Sequence, residues 1–481
     1  MDTVSMTVLV QERGAVEGVG LSRAERVARG KAARARVPRS SHAEFVRDSA
    51  GPSPLELLAR QDESRIPDLV PIRYGRMAVS AFTYFRGAAL PMAADLAATP
   101  RGGLSVQVCG DAHLMNFGVF ASPERRLVFD INDFDETLPG PWEWDVKRLA
   151  ASLEIAGRSN GYPTKRRRGI VVAAVAEYRR AMRAFASATA LDVWYAHADV
   201  DMVRTVYAQN LSAASRKKLD GNLARVRTKN NLGALRQFTE ASDGGLRIVS
   251  EAHRVVRVDE IADPGQDPQE LRARLGEVLA AYRETLEPER RALLDRYSYV
   301  DLARKIVGVG SVGTRCWMVL MLGVDNQDPL FLQAKEAGPS VLEEFLAPSR
   351  FDNAGQRVVT GQRLMQTVSD IFLGWVRVAG FDSQSRDFYL RQLRDWKGSA
   401  EIDGMLWPNM TDYGRLCGWT LARAHARSGD PIAIGSYLGS ASVFDEAVAE
   451  FAAAYADQNE RDHAALLAAI ASGAVRADTD T

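Results

Sequence analysis

The sequence predicts an α+β protein of two lobes, a large, mainly helical one and a smaller one built on antiparallel sheet. Three observations predict it. Apolar residues recur at helical spacing from residue 141 to about 300, as in Val171, Ala174, Val175, Tyr178, Met182 and Phe185, which share one helix face. Strand-like runs separated by turn residues appear instead in 105–136 and 305–400, and short runs joined by tight turns fold as antiparallel hairpins. The chain has 481 residues, 46% of them hydrophobic, which suits two to four domains or lobes at about 100–200 residues each.

In chain order, residues 1–21 lack a clear period and predict a mobile N-terminal tail. The next stretch carries Arg23, Arg26, Arg29, Lys31, Arg34, Arg36 and Arg39 against Glu25 alone, which is read as the solvated face of a basic helix. Leu69 to Leu96 is helical, with a turn at Phe85–Gly87. Residues 105–136 form a strand, a polar loop and a hairpin turning at Ser-Pro-Glu-Arg. After the helical block, a glycine-rich loop leads into a hairpin whose arms are Cys316–Leu322 and Leu330–Lys335. A helix near Val358–Ile371 and a second hairpin follow. The C-terminus is helical, with Phe444, Ala447, Val448, Phe451 and Tyr455 on one stripe.

Composition narrows the function. Lys+Arg and Asp+Glu both number 61, so no global field draws in a polyanion, and no nucleic-acid partner is expected. Cys109, Cys316 and Cys417 are too few for a four-cysteine zinc site or a disulfide framework. The N-terminus lacks a signal-peptide pattern and no apolar run approaches about 18 residues. The expectation is a cytoplasmic protein with no membrane partner.

The densest polar cluster is Gly110-Asp111-Ala112-His113-Leu114-Met115-Asn116, followed by Asp130, Asn132, Asp133, Asp135 and Glu136. Crowded carboxylates repel unless cations or donors stand among them. Magnesium accepts carboxylate and amide oxygens and leaves positions for phosphate, so Asn116 and Asp133 suit a nucleotide-bound Mg²⁺. The plain alternative is a polar turn with solvated acids. Downstream, Gly308, Gly310 and Gly313 form a GxGxxG. A dinucleotide fingerprint opens a helix, whereas the β-forming run that follows here predicts a glycine-rich hairpin whose backbone N–H groups approach phosphates. Lys335 lies on the next strand.

These segments resemble the kinase fold. Asp-x-x-x-x-Asn from Asp111 to Asn116 is similar to the catalytic loop of protein kinases and aminoglycoside phosphotransferases, the latter also favouring a His where His113 stands. Asn132-Asp133-Phe134-Asp135 is similar to their metal-binding Asp motif, and Asp145 matches the helix-start Asp that ties down the catalytic loop. The resemblance implies Asp111 as base, Asn116 and Asp133 as metal ligands, and Lys335 on the α- and β-phosphates of ATP beneath Gly308, Gly310 and Gly313. The catalytic half precedes the ATP half, a circularly permuted order. The implied division is a tail (1–21), a catalytic helical lobe (22–304, with the catalytic loop at 110–116 and the metal-binding hairpin at 117–136), an ATP-binding sheet lobe (305–400) and C-terminal helices (401–481) rejoining the helical lobe.

The glutamate that usually holds the lysine has no clear equivalent, and Glu343, Glu344, Gln362 and Gln366 all remain open. Cys109-Gly110 replaces the usual pair before the catalytic Asp. With FRGAA, CGDAHLMNFG, FDINDFDE, GVGSVGT, LQAKEA, VVTGQRLMQTVSDIFLGW and FYLRQLRDWKGS in this order, the chain closely resembles the bacterial domain of unknown function 2252 family from about Arg34 to the C-terminal helix. The function implied is an ATP- and Mg-dependent phosphotransferase acting on an unidentified hydroxyl of a small molecule or a protein. The alternatives are a nucleotide-binding pseudokinase and a nucleotidyl transferase. A metallophosphoesterase also opens with Gly-Asp-x-His, but the Gly-Asn-His that would supply a further ligand does not occur, and His42, His197, His253, His425 and His463 are isolated in the sequence.

Overall fold

The computed structural model describes all residues except 1–19, 48–49, 208–212, 243–244, 252–253, 262–267, 307, 380–383 and 479–481. The N-terminal tail expected at 1–21 therefore lies almost wholly outside the described residues. The fold is α+β with antiparallel sheets.

Helices α1 (Arg23–Arg36), α2 (Pro54–Asp62) and α4 (Ala81–Gly87) begin at Ser22, Ser53 and Ser80, each forming a capping box with the residue three positions on. Helix α3 (Val70–Ala78) lies between α2 and α4, and α5 (Ala89–Ala97) follows α4. Gly30 of α1 lies so close to the Ala433 carbonyl that a Cβ would stand 2.1 Å from it. The basic helix is thus docked on the C-terminal segment, where Arg26 lies 3.8 Å from Asp430 and Arg34 stands against Gly439, while Arg36 donates to the Gly102 carbonyl and Arg23 and Lys31 are exposed.

Strand β1 (Ser105–Val108) pairs with β4 (Leu138–Pro141), and between them β2 (Phe117–Ala121) and β3 (Leu127–Ile131) form the expected hairpin. Helices α6 (Trp142–Ser159) and α7 (Thr164–Phe185) follow. They pack with α9 (Trp407–Ser428), α10 (Pro431–Leu438) and α11 (Val443–Ala471) around one core that includes Trp142, Tyr178, Cys417 and Phe451.

The second lobe holds six strands among the described residues. These are β5 (Val255–Arg257), β6 (Ser298–Lys305), β7 (Cys316–Leu322), β8 (Pro329–Ala337), β9 (Gly374–Ala379) and β10 (Ser385–Gln392), in the order β9-β10-β8-β7-β6-β5. Each neighbouring pair is antiparallel. Helix α8 (Ala354–Met365) crosses between β8 and β9. Along β7 the side chains alternate: Val319 and Met321 face a cluster with Tyr282 and Leu286, while Met318 and Leu320 face one with Ala234 and Phe238. With helices on both sides, all four are buried, each contributing about 1.5–3 kcal/mol.

Two expectations are corrected. The block from 141 to about 300 is not helical throughout, because β5 and β6 belong to the sheet, which therefore begins well before residue 305. In β6, Asp301, Arg304 and Lys305 interrupt the apolar alternation, so only pairing with β7 reveals the strand. The helix expected at Val358–Ile371 runs from Ala354 to Met365, shifted by the Asn353 cap, whose side chain accepts from Gln356 N–H.

Candidate functional site

The segment from Gly110 to Asn116 is held from below by one face of α6. Asp145 in its first turn is buried and accepts from the Cys109 and Gly110 N–H groups at 2.8 and 3.0 Å. One turn on, Arg148 Nε donates to Asp111 Oδ1 at 2.8 Å, and a second guanidinium nitrogen donates to the Phe85 carbonyl at 2.7 Å. Another turn on, Ser152 Oγ accepts from Leu114 N–H at 3.2 Å. The spacing i, i+3, i+7 keeps the three on one helix face. Asp145 is itself braced by His425 Nε2 at 3.2 Å, whose Nδ1 lies 2.9 Å from the Tyr178 hydroxyl. Gly110 has φ +83°, and a Cβ there would stand 2.4 Å from the Glu136 carbonyl, so only glycine lets the loop cross this point.

The second oxygen of Asp111 lies 3.7 Å from His113 Nε2. His113 Nδ1 accepts from Met115 N–H at 3.2 Å, which leaves the ring proton of the neutral form on Nε2, facing Asp111. Burial pushes the His113 pKa down to about 4, with Asp111 opposing and Arg148 reinforcing the shift. Asn116 Nδ2 donates to the Asp111 carbonyl at 2.7 Å, and among the described residues its Oδ1 accepts no hydrogen bond.

The Phe117↔Ile131 register carries Asn116 to the hairpin's far end, where Asn132 N–H donates to the Asn116 carbonyl at 2.8 Å. Asp133 follows directly. Lys335, buried on β8, forms an ion pair with Asp135 and lies 3.7 Å from Asp133. Tyr389, its partner across the sheet, donates to Asp135 Oδ1 at 2.8 Å. Burial would raise the Asp133 pKa, but Lys335 and Arg391 outweigh it and hold the carboxyl below the usual range. Asp135 is driven up by burial and by Asp133 beside it. Burial also pushes Glu136 up to about 7, against Arg357 and the Val341 N–H that it accepts. None of Glu343, Glu344, Gln362 and Gln366 pairs with Lys335: Glu343 lies 3.9 Å from Arg357, Glu344 pairs with Arg60, and Gln362 donates to Gln366.

The glycine-rich segment joins antiparallel β6 to β7 and opens no helix, which removes the dinucleotide geometry. Gly308 and Gly313 have φ +72° and +94°. The N-terminal helices clamp this loop: Arg76 donates to the Gly308 carbonyl at 2.8 Å, Ile66 N–H to Gly313 at 2.8 Å, and Arg65 to Val312.

Asp111, His113, Asn116, Asp133, Gly308 and Gly310 line one cleft of about 130 Å³, together with Asp135, Glu136 and Arg86. Gly313 packs against the Arg65 side chain, Lys335 stands behind the two aspartates, and Asp145 lies under the loop. Among the described residues no group of three or more His, Cys, Asp or Glu side chains is placed to hold a metal ion. The donors present, one carboxylate about a third exposed at Asp133 and one free amide oxygen at Asn116, fit a magnesium that keeps waters and phosphate oxygens as its other ligands. A larger cavity of about 450 Å³ beside Val119, Leu223 and Tyr413 is mainly apolar and holds none of these residues.

Sequence reasoning missed Arg148, Asp135 as the lysine's partner, Tyr389 and Arg86. The first was within reach, since Arg148 and Ser152 repeat from Asp145 at helical spacing. Among the described residues no helix is long and apolar enough to cross a membrane. A bacterial family described as "Uncharacterized protein conserved in bacteria (DUF2252)" matches residues 65–469. No curated protein and no solved structure matches the chain.

Proposed function

The chain belongs to the DUF2252 family, and from the cleft that its matched segment builds we propose an ATP- and Mg²⁺-dependent phosphotransferase on a circularly permuted kinase-like fold. The observation that carries the proposal is the convergence of Asp111, Asn116, Asp133 and the glycine loop on one cleft, with Lys335 paired to its acids. Two features of the topology support it. A glycine-loop hairpin, the lysine on the next strand and one main helix against an antiparallel sheet ordered β6-β7-β8-β10-β9 fit the ATP lobe that the sequence resemblance implies. The end of α9 also lies against the start of β1: Gln107 N–H donates to Ser428 Oγ at 3.2 Å, and a Cβ on Gly429 would stand 2.5 Å from Val106. In an unpermuted chain these two points would be directly joined.

Magnesium nucleotide, when bound, supplies the phosphoryl group and neutralises part of its charge. Asp111 accepts the acceptor hydroxyl's proton on the oxygen that Arg148 leaves free, while Arg148 fixes the carboxylate's orientation. His113, neutral and buried, turns its Nε2–H toward Asp111 from 3.7 Å and adds no positive charge near the base. Asn116 and Asp133 would hold the metal. Lys335 stays cationic, because Asp133 and Asp135 more than offset the burial that would otherwise deprotonate it.

The direct test is ATP consumption with and without Mg²⁺ in the presence of hydroxyl acceptors, beside calorimetric titration of ATP. Binding with consumption supports phosphotransfer. Binding without consumption in any acceptor screen favours the second reading, a nucleotide-binding pseudokinase, for which the engagement of Asp133 by Lys335 speaks.

A further inference from the structure

One cation in the cleft is left over. Lys335 is engaged by Asp133 and Asp135, Arg148 by Asp111 and the Phe85 carbonyl, Arg65 by Val312 and Asp62, and Arg391 by the Asn132 carbonyl. Arg86, in the last turn of α4, lines the same cleft, yet among the described residues its guanidinium makes no hydrogen bond or ion pair, and its Nε is buried without a partner. The carboxylates that influence it, Asp111 and Asp403, do not come within 4.0 Å. A guanidinium offers five donors, and leaving that charge half-buried and unpaired is costly. Its position is fixed from above: a Cβ on Gly310 would stand 3.1 Å from the Arg86 carbonyl, so the glycine loop lies directly against this residue.

We propose that Arg86 is a phosphate-binding residue that holds the terminal phosphoryl group of the nucleotide between the glycine loop and Asp111. The proposal rests on the phosphotransferase reading. Charge-assisted, fork-shaped pairing with phosphate oxygens would satisfy the donors that the protein leaves open, at the place where the group to be transferred must meet the base. The structure thereby assigns FRGAA, whose Phe85 carbonyl already anchors Arg148 beneath Asp111, a direct part in nucleotide recognition as well.

The test is calorimetric titration of full-length wild type, Arg86→Gln and Arg86→Lys with Mg·ATP, Mg·ADP and inorganic phosphate, with circular dichroism melts to verify folding. Arg86→Gln is expected to weaken ATP about 10- to 100-fold, the range for a lost charge-assisted hydrogen bond, and to leave ADP within about 2-fold, because ADP lacks the group contacted. Arg86→Lys, which keeps the charge but not the fork, falls between. Equal loss for ATP and ADP, or no loss for either, with wild-type binding intact, overturns the proposal and leaves the nucleotide reading standing. If wild type binds neither nucleotide, the phosphotransferase reading fails by itself. In that case phosphate binding that disappears in Arg86→Gln keeps Arg86 as an anion site, and absence of phosphate binding overturns that too. Should Arg86→Gln not fold, the ATP-to-ADP ratio of Arg86→Lys decides: an unchanged ratio overturns the proposal.

Discussion

The two loops that meet in the cleft are held in different ways. The catalytic loop rests on α6, a helix of the main core, through Asp145, Arg148 and Ser152, all buried. The glycine loop belongs to the sheet lobe, but its carbonyls are held by Arg65, Ile66 and Arg76, more than two hundred residues earlier in the chain. Ile306 and Val312 beside it pack on Leu69 and Ile72. On the proposed function the base would therefore be fixed by its own lobe, whereas the phosphate side would depend on an N-terminal segment that packs against both loops. Perturbing the first support should damage folding and chemistry together, and perturbing the second should damage nucleotide binding alone.

The largest expected effect is at Asp145. Asp145→Ala leaves the buried Cys109 N–H, the part-buried Gly110 N–H and His425 without their acceptor, and at about 1–3 kcal/mol for each orphaned group the loss should be about 3 kcal/mol or more of unfolding free energy, read by urea denaturation. Asp145→Asn, which retains one acceptor oxygen, should lose less.

Next is the acid limb. The folded His113 pKa of about 4 lies below its ordinary 6.5, so the unfolded chain takes up a proton first as pH falls. The stability is present in full above about pH 6.5 and is lost as pH drops toward 4, by up to about 3 kcal/mol. His113→Gln should flatten that part of the stability–pH curve, while the loss through Asp133 at lower pH persists.

Smaller again is Arg148→Lys, which cannot bridge Asp111 and the Phe85 carbonyl with one planar group. Turnover should fall about 10- to 100-fold, with ATP affinity changed by less than about 3-fold, as expected for misorienting a base. The smallest effect is Arg76→Ala, which removes one hydrogen bond to Gly308 near the surface, worth about 0.5–1.5 kcal/mol. ATP binding should weaken a few-fold with the melting curve nearly unchanged. If Arg148→Lys instead impaired ATP binding and Arg76→Ala impaired folding, the contrast between the two supports would collapse.

The same contrast explains what was legible in the sequence. The Asp111, Asn116, Asp133 and Asp145 set lies within 35 residues, where local spacing translates into geometry, and the hairpin register follows from the turn at Ser122–Arg125. The glycine loop and Lys335 were legible for the same reason, as one hairpin and the strand after it. The clamp by Arg65 and Arg76, the Lys335–Asp135 pair and the place of Arg86 join segments up to 247 residues apart, and nothing in local periodicity encodes them. Strand β6 was hidden because its charged residues lie beside β5 and β7 rather than in a purely apolar layer. The lysine's partner could not be read from the usual position because α8 offers Gln362 and Gln366 there, and these bind each other and the Ile131 carbonyl.

The central claim, that Asp111 acts on the acceptor while Asp133 holds the metal–nucleotide complex, is tested most directly by titrating Mg·ATP into wild type, Asp111→Asn and Asp133→Ala with turnover measured alongside. Asp111→Asn is preferred to alanine because its amide oxygen still accepts from Arg148. The account predicts that Asp111→Asn binds Mg·ATP within about 2-fold of wild type while turnover drops roughly 10²–10⁴-fold, and that Asp133→Ala loses most of the Mg-dependent binding. Equal loss of binding in both variants, or undiminished turnover in Asp111→Asn, would contradict it.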